Sequence, residues 1–508
     1  QTDEGPLEAG TYPDNSADSE AASFLRSGGK VFTQTLERKQ ALFVERAKPF
    51  VDYIVRRTPF VAHPEAVTVD EIALEFETLY HGKKPQRLIA SKLRVWFAFH
   101  TGQTVPKTFF RHSFFTKKEN SFKFIVDVLT RRGVIRLRPR GIMTMSDHML
   151  ISLCPVLRLI DTWNHGLFSK FQIKDISPEE FISRIEKVTN GRHMVTDHSA
   201  YESSITYVIR QLELYALTRL CFKNGWHSTA ARIEKFVPPM RELKTRYGTY
   251  KIHTRCSGDF WTSFGNGLVN VCLVLDFLGW PEHVDLLAEG DDALVRCDDW
   301  MVANVATAMN DLGFKFSSDM TGSLPGDVDF LRRAIVDGKR VVEIPRALKV
   351  LWVRDAVNLR RWKQLFLLRQ AALSLYENAP GMPVLSAMIN RILYETRGAS
   401  PFKGCERYVD QWKGDISEQT RGIRHVEVDE SLRTLVANGG GGFPPISIPV
   451  QLYLEENFSR GDWYVGSHVD HSEDVLSYKV KTSEFEIARP SPEFEEAMRI
   501  LKLARVLV

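Results

Sequence analysis

Two short apolar runs, Leu286-Leu287-Ala288 and Ala293-Leu294-Val295, are separated by Glu289-Gly290-Asp291-Asp292. Glycine at the first central position of a two-residue turn suits type II′, so the runs predict an antiparallel hairpin with two carboxylates at its tip. Adjacent carboxylates repel unless something positive lies beside them, and a hard divalent cation does this with oxygen ligands. Aspartate is also an ordinary turn residue, so the tripeptide alone leaves both readings open. The doublet Asp298-Asp299 a few residues later reads as a plain strand end.

A chain of 508 residues can bury a large core and is expected to form about three domain-sized bodies. Its six cysteines (Cys154, Cys221, Cys256, Cys272, Cys297, Cys405) lack CxxC spacing, which argues against a zinc ribbon or disulfide scaffold and for a reducing compartment. No secretory signal is read. The longest apolar stretch, Leu268 to Trp280, is too short to span a bilayer and contains Asn270 and Asp276. Membrane attachment is therefore expected to need a partner or a surface helix.

The formal net charge of +4 conceals an asymmetry. Between Lys83 and Arg140, 15 Lys/Arg face only Glu119 and Asp127, a local net of +13, which leaves −9 for the remainder. From Leu331 to Gln370, 11 Lys/Arg against 3 acids give +8. The first stretch is interleaved with Trp96, Phe97, Phe99, Phe109, Phe110, Phe114 and Phe115. A solvated helical face normally balances its bases with acids; here the acids are missing, which favours a polyanion partner.

Along the chain, residues 1–20 are polar and acidic and predict a flexible arm. Ser177 to Lys187 has a Ser N-cap, an early proline, acids first and a base last, and so predicts a short helix. Met194 to Thr196 and Thr249 to Thr254 read as strands, and Ile205 to Phe222 as a helix. Ser263 to Leu278 reads as a buried helix stopped by Gly279-Trp280-Pro281, and a helix from about Trp300 to Leu312 ends at Gly313. The pattern is mainly helical from about Ile344 to Arg397. Gly439-Gly440-Gly441-Gly442 is a break; without a following Lys-Ser/Thr it is a hinge or loop rather than a phosphate cradle.

Three segments in order carry the chemistry: Asp197-His198-Ser199-Ala200-Tyr201-Glu202, then Ser257-Gly258 with Thr262 and Asn266, then the Gly290-Asp291-Asp292 hairpin. An acid at a strand end beside acids at a hairpin tip can hold two cations in the arrangement that phosphoryl transfer uses. Thr262 and Asn266, four apart, share a helical face and present a hydroxyl and an amide.

In order and spacing these segments resemble motifs A, B and C of viral RNA-dependent RNA polymerases, D-x4-5-D, S-G-x3-T-x3-N and G-D-D. Ser257-Gly258-Asp259 and Glu289-Gly290-Asp291-Asp292 look closest to the tombus-like and noda-like positive-strand RNA viruses. Glu202 departs from the pattern, standing where many members carry Asp; it is one methylene longer and still able to accept a hydrogen bond from a ribose 2′-hydroxyl.

The resemblance implies an α+β right-hand polymerase of fingers, palm and thumb, with an antiparallel-sheet palm and a mainly helical thumb. It places an N-terminal extension and fingers at 21–190, with motif F at about 116–140. The palm with motifs A–E falls at 191–343, with an inserted fingers segment at about 206–250, and the thumb and C-terminal tail at 344–508. Asp197, Asp291 and Asp292 would be catalytic metal ligands for Mg²⁺, with Mn²⁺ able to substitute. Glu202, Ser257, Gly258, Thr262 and Asn266 would bind the nucleotide at its ribose. Lys118, Arg136 and Arg138 of motif F would receive the triphosphate. Lys315, in a motif D-like segment, would protonate pyrophosphate, and Arg332 and Arg333 of a motif E-like hairpin would contact RNA. The implied partners are template and nascent RNA, nucleoside triphosphates, and a viral membrane-anchoring or accessory replication protein. The implied location is membrane-associated replication complexes in the host cytoplasm. Reverse transcriptase shares the palm, but Glu202 with Asn266 argues for ribose selection. A non-catalytic RNA-binding protein on a decayed polymerase fold is disfavoured by the intact Asp197, Asp291 and Asp292.

Overall fold

The structure is a computed structural model. It describes residues 23, 33–81, 84–116, 122–126, 133–137, 141–173, 176–198, 200–237, 239–245, 248–319, 328–331, 333–336, 338–350, 361–397, 422–440 and 443–460. The expected arm at 1–20, Lys118, Arg138, Arg332 and the tail beyond 460 lie outside these residues, as do the side chains of Asp197, Arg136 and Arg333. The fold is mixed α and β. It divides into two compact units, residues 11–174 with 192–320, and residues 1–10 with 175–191 and 321–508.

The first unit contains strands β1 (His112–Thr116), β2 (Phe122–Val126), β3 (Gly133–Leu137), β4 (Gly141–Thr144) and β5 (His193–His198). These are followed by β6 (Arg241–Lys244), β7 (Thr249–Ile252), β8 (Leu286–Glu289), β9 (Asp292–Arg296) and β10 (Phe316–Asp319). One sheet has the order β4-β1-β6-β7, and another, antiparallel throughout, the order β10-β5-β9-β8. Strands β2 and β3 form a separate antiparallel pair in which Arg136 lies opposite Lys123.

Helix Thr262–Phe277 is buried continuously from Phe264 to Leu275. A helix apolar on all sides belongs in the middle of a core rather than on its surface, and this one packs among Met194, Tyr201, Ala288, Ala293 and Phe314. Its end agrees with the expected stop, with Gly279 and Trp280 both at positive φ (76° and 57°). Helix Gln34–Arg57 starts at an N-cap, Thr33, whose hydroxyl accepts from the Leu36 amide at 3.2 Å. It buries Phe43, Ala47, Val51 and Ile54, a stripe of i+3 and i+4 steps. The amide of its buried Gln40 accepts from the Thr206 hydroxyl and donates to the Leu312 carbonyl, tying it to the segments that follow β5 and precede β10.

The second unit contains β11 (Val328–Phe330), β12 (Arg333–Val336) and β13 (Lys339–Val341) in one antiparallel sheet. Its helices include Arg361–Asn378, Leu385–Glu395, Glu430–Ala437 and Ile448–Arg460, which enclose Leu368, Leu373, Met388, Ile392, Leu454 and Phe458. Helix Pro178–Thr189, capped by the Ser177 hydroxyl as its sequence predicts, belongs to this unit, with Arg340 lying 4.9 Å over the ring of Phe181. Among the described residues no helix is long and apolar enough to cross a membrane.

Candidate active site

The hairpin forms as its sequence predicts: Glu289 pairs with Asp292, leaving Gly290 and Asp291 as a two-residue turn. Gly290 has φ +63°, and Asp291 is not among the residues at positive φ. A positive φ at the first central position alone is the pattern of type II′ rather than I′. A Cβ on Gly290 would meet nothing within 4 Å, so backbone conformation, not space, calls for glycine there.

The neighbouring strand brings in the distant acid. Strand β5 pairs with β9 so that Thr196 lies opposite Ala293, and the Thr196 hydroxyl accepts from the Ala293 amide at 3.0 Å. That pair is the last of the register, and residue 197 of β5 and Asp292 of β9 directly adjoin it. On its other edge β5 pairs Asp197 with Ser317 of β10. Positions 197, 291 and 292 thus meet at one end of one sheet. Asp291 and Asp292 are half-buried. The set is carboxylate oxygen only, which suits hard divalent cations such as Mg²⁺ and Mn²⁺ rather than zinc. Among the described residues no group of three or more His, Cys, Asp or Glu is arranged to hold a metal; the Asp197 side chain lies outside them.

After β5 the chain turns sharply at Ala200, φ +56°, into a single 3₁₀ turn Tyr201–Ser203. His198 packs against Tyr201, Phe314 and Phe316, at ring separations of 4.8, 5.8 and 5.1 Å. Glu202 is half-buried beside the fully buried Tyr201. Burial raises the Tyr201 phenol well above its ordinary pKa; Arg255 opposes the shift, and Asp291 and Glu202 add to it. The phenol therefore keeps its proton and donates it to the Asn266 carbonyl at 3.1 Å. Lys315, which sequence alone proposed as an acid, is exposed and sits immediately before β10.

The Ser257-Gly258 loop is docked on β4. The Ser257 hydroxyl donates to the Gly141 carbonyl at 3.1 Å and accepts from the Met143 amide at 3.3 Å. The Gly258 amide donates to the Met143 carbonyl at 2.9 Å, and a Cβ on Gly258 would lie 2.6 Å from that same oxygen. The glycine is required by close backbone approach. Thr262 and Asn266 share a helical face, as expected. The Thr262 hydroxyl donates to the Cys256 carbonyl at 3.1 Å, so its proton is engaged while its lone pairs can still accept. Asn266 is 5% exposed, and its Oδ1 is buried without a hydrogen-bond partner.

Beneath the loop lie charges that sequence reading did not single out. Arg241 Nη1 donates to both oxygens of Asp259, at 2.7 and 2.6 Å, with both side chains buried. Burial opposes the Arg241 charge, but Asp259 more than restores it, and the guanidinium pKa is raised. Arg255 pairs with Glu213, and a Cβ on Gly265 would overlap both partners. Burial pushes the Arg210 guanidinium down to about 10, with the neighbouring Arg241 charge acting in the same direction. Asn270, one turn beyond Asn266, donates from Nδ2 to the Gly290 carbonyl at 3.2 Å. Only the Asp of Ser257-Gly258-Asp259 carried a sequence signal; the others are revealed by folding.

The strand carrying Arg136 is present. Arg333 opens β12 opposite Phe330, and Leu331 has φ +57°. The five described cysteines, Cys154, Cys221, Cys256, Cys272 and Cys297, are free and buried. The doublet Asp298-Asp299 differs from its expectation: Asp298 is the N-cap and Asp299 the first residue of helix Asp299–Asp311. Negative charge at a helix N-terminus is favoured by the helix dipole, which gives the doublet a structural place.

Comparison with curated proteins found no match. Residues 245–396 match the family described as viral RNA dependent RNA polymerase, a span that contains the Ser257–Asn266 segment, the Gly290-Asp291-Asp292 turn, Lys315 and the β11–β12 hairpin. Over that segment the chain is similar to viral RNA-dependent RNA polymerases.

Proposed function

We propose that the chain copies viral RNA by a two-metal reaction. A 3′-hydroxyl of the growing strand attacks the α-phosphate of a nucleoside triphosphate, and pyrophosphate leaves. The observation that carries this reading is the β5–β9 register, whose last pair, Thr196 with Ala293, is directly adjoined by residue 197 on one strand and Asp292 on the other, beside the Gly290-Asp291 turn. Asp197 and Asp291 are the principal ligands, with Asp292 assisting. Bound Mg²⁺ or Mn²⁺ supplies Lewis acidity and neutralises charge on the phosphates.

The chain's own groups position the substrate. The unpartnered Asn266 Oδ1 and the Glu202 carboxylate are acceptors suited to a ribose 2′-hydroxyl, with Ser257, Gly258 and Thr262 lining the same loop and helix start. Lys118, Arg136 and Arg138 receive the triphosphate, since Lys and Arg cancel phosphate charge and Arg can do so bidentately. Lys315 donates a proton to the leaving pyrophosphate. Arg332 and Arg333 hold backbone phosphate of the primer strand. In this reading the antiparallel sheet is the palm of a right hand, the C-terminal helices are its thumb, and the lineage is tombus-like or noda-like. A membrane-anchoring or accessory viral protein would bring the enzyme to replication complexes in the host cytoplasm.

The test is incorporation of ribonucleotides on an RNA template as Mg²⁺ or Mn²⁺ is titrated. Asp291→Ala is expected to reduce incorporation to background. Incorporation by this variant equal to the parent's would refute the assignment.

A further inference from the structure

Asn270 lies in the continuously buried stretch of helix Thr262–Phe277, between Val269 and Val271, and is 0% exposed. One of its amide atoms, Nδ2, donates to the Gly290 carbonyl; the other, Oδ1, is buried without a partner. A buried polar atom without a partner is costly, and a leucine at this position would avoid that penalty. What the asparagine gains is a grip on a particular peptide group. The Gly290 carbonyl belongs to the central peptide of the two-residue turn. Types I′ and II′ differ chiefly in which way that peptide faces: I′ requires positive φ at both central residues, II′ only at the first. Aspartate tolerates positive φ better than most residues, so Gly290-Asp291 is compatible with either form. The observed turn has positive φ at Gly290 and not at Asp291.

We propose that Asn270 is a positioning residue that locks the central peptide of this turn in its type II′ orientation, and so fixes the direction of the Asp291 carboxylate. Helix Thr262–Phe277 then acts as a common base for both halves of the site. Its Asn266 carbonyl accepts from Tyr201, in the segment that carries Glu202, while Asn270 holds the turn that carries Asp291 and Asp292. The amide orientation is dictated by chemistry, because turning Oδ1 toward Gly290 would set two acceptors against each other. The inference rests on the reading of Asp291 as a cation ligand.

The test uses the full chain, with Mn²⁺ binding to the free protein followed by electron paramagnetic resonance and unfolding followed by fluorescence. Asn270→Ala removes the donor and is expected to weaken Mn²⁺ binding on the order of tenfold, the effect of one lost hydrogen bond. Asn270→Leu fills the space and removes the unpartnered oxygen as well. It is expected to unfold at the parent's midpoint or above, yet to bind Mn²⁺ as weakly as the alanine variant. A purely structural asparagine would behave differently, with metal affinity following stability. Parental Mn²⁺ affinity in folded Asn270→Leu would overturn the proposal, and so would failure of both variants to fold, which would make Asn270 a folding residue. Parental Mn²⁺ binding and incorporation by Asp291→Ala would instead overturn the reading beneath it.

Discussion

The Arg241–Asp259 pair gives the sharpest test of how the Ser257-Gly258 loop is held. The two side chains are 0% and 1% exposed, and a single guanidinium nitrogen serves both carboxylate oxygens. Arg241 Nε and Nη2 are buried without hydrogen-bond partners, so Asp259 is the main compensation for that charge. Asp259→Ala would leave a guanidinium in the core near the cationic Arg210. Breaking a buried pair by removing one partner typically costs about 3–5 kcal/mol, a large part of the roughly 5–15 kcal/mol that holds a natural domain together. At about 2 °C per kcal/mol for a body of this size, the melting midpoint should fall by roughly 6–10 °C.

The exposed Lys39–Asp311 pair, 3.2 Å apart, is the control. Exposed pairs contribute about 0–1 kcal/mol, so Asp311→Ala should move the midpoint by less than about 2 °C. Replacing both buried partners, Arg241→Met with Asp259→Leu, removes the stranded charge and should recover most of the loss. Differential scanning fluorimetry and urea denaturation measure all four proteins. The reasoning fails if Asp259→Ala shifts the midpoint no more than Asp311→Ala, or if the double variant is no more stable than the single.

Three other outcomes follow from the same geometry. Gly258→Ala should lower both stability and incorporation, because its Cβ would press on the Met143 carbonyl at 2.6 Å, and backbone cannot swing aside as a side-chain tip can; thermal melts beside primer extension check this. Glu202→Ala should relax discrimination against 2′-deoxynucleotides by about tenfold to a hundredfold, the range for one hydrogen bond to a charged group, as measured by competing ribo- and deoxynucleotides; unchanged discrimination removes Glu202 from the ribose set. Burial, helped by the charges of His100 and Lys235, depresses His148 to about 4 from its usual 6.5. The folded state keeps this ring neutral while the unfolded chain takes up a proton, so its contribution is present above about pH 6.5 and is lost as pH falls toward 4. His148→Phe, placed among Phe99, Phe109, Phe110 and Phe236, should flatten the pH dependence of the melting midpoint between pH 7 and 5.

What was legible in the sequence was local. The turn at Gly290, the buried helix ended by Gly279 and the capped helix after Ser177 are each written within a dozen or so residues, in turn chemistry and hydrophobic period. Thr262 and Asn266 could be set on one face by counting. The site itself is not local. Position 197 is brought toward the turn only by the β5–β9 pairing, which depends on strands far apart in the chain. The partner of Asp259 could not be read at all, because Arg241 lies on β6 among other bases and nothing in its neighbours distinguishes it. The same holds for the positive φ of Ala200, a residue type that gives no warning of a left-handed turn.

Asn270 shows why this division matters for function. In the sequence it is merely a polar residue that keeps an apolar run from spanning a membrane. In the fold it is the contact between the helix that carries Thr262 and Asn266 and the turn that carries Asp291. A motif records the groups that touch substrate, since those chemistries recur at fixed spacings. The groups that aim them are chosen by whichever helix happens to pass behind the turn, and their spacing is set by the fold. The Tyr201 phenol, bonded to the Asn266 carbonyl, and the Asn270 amide, bonded to the Gly290 carbonyl, tie the two acid-bearing segments to one helix. A substitution at either should therefore disturb the mutual direction of the acids before it disturbs the stability of the sheet that bears them, and the Asn270→Leu variant separates those two effects.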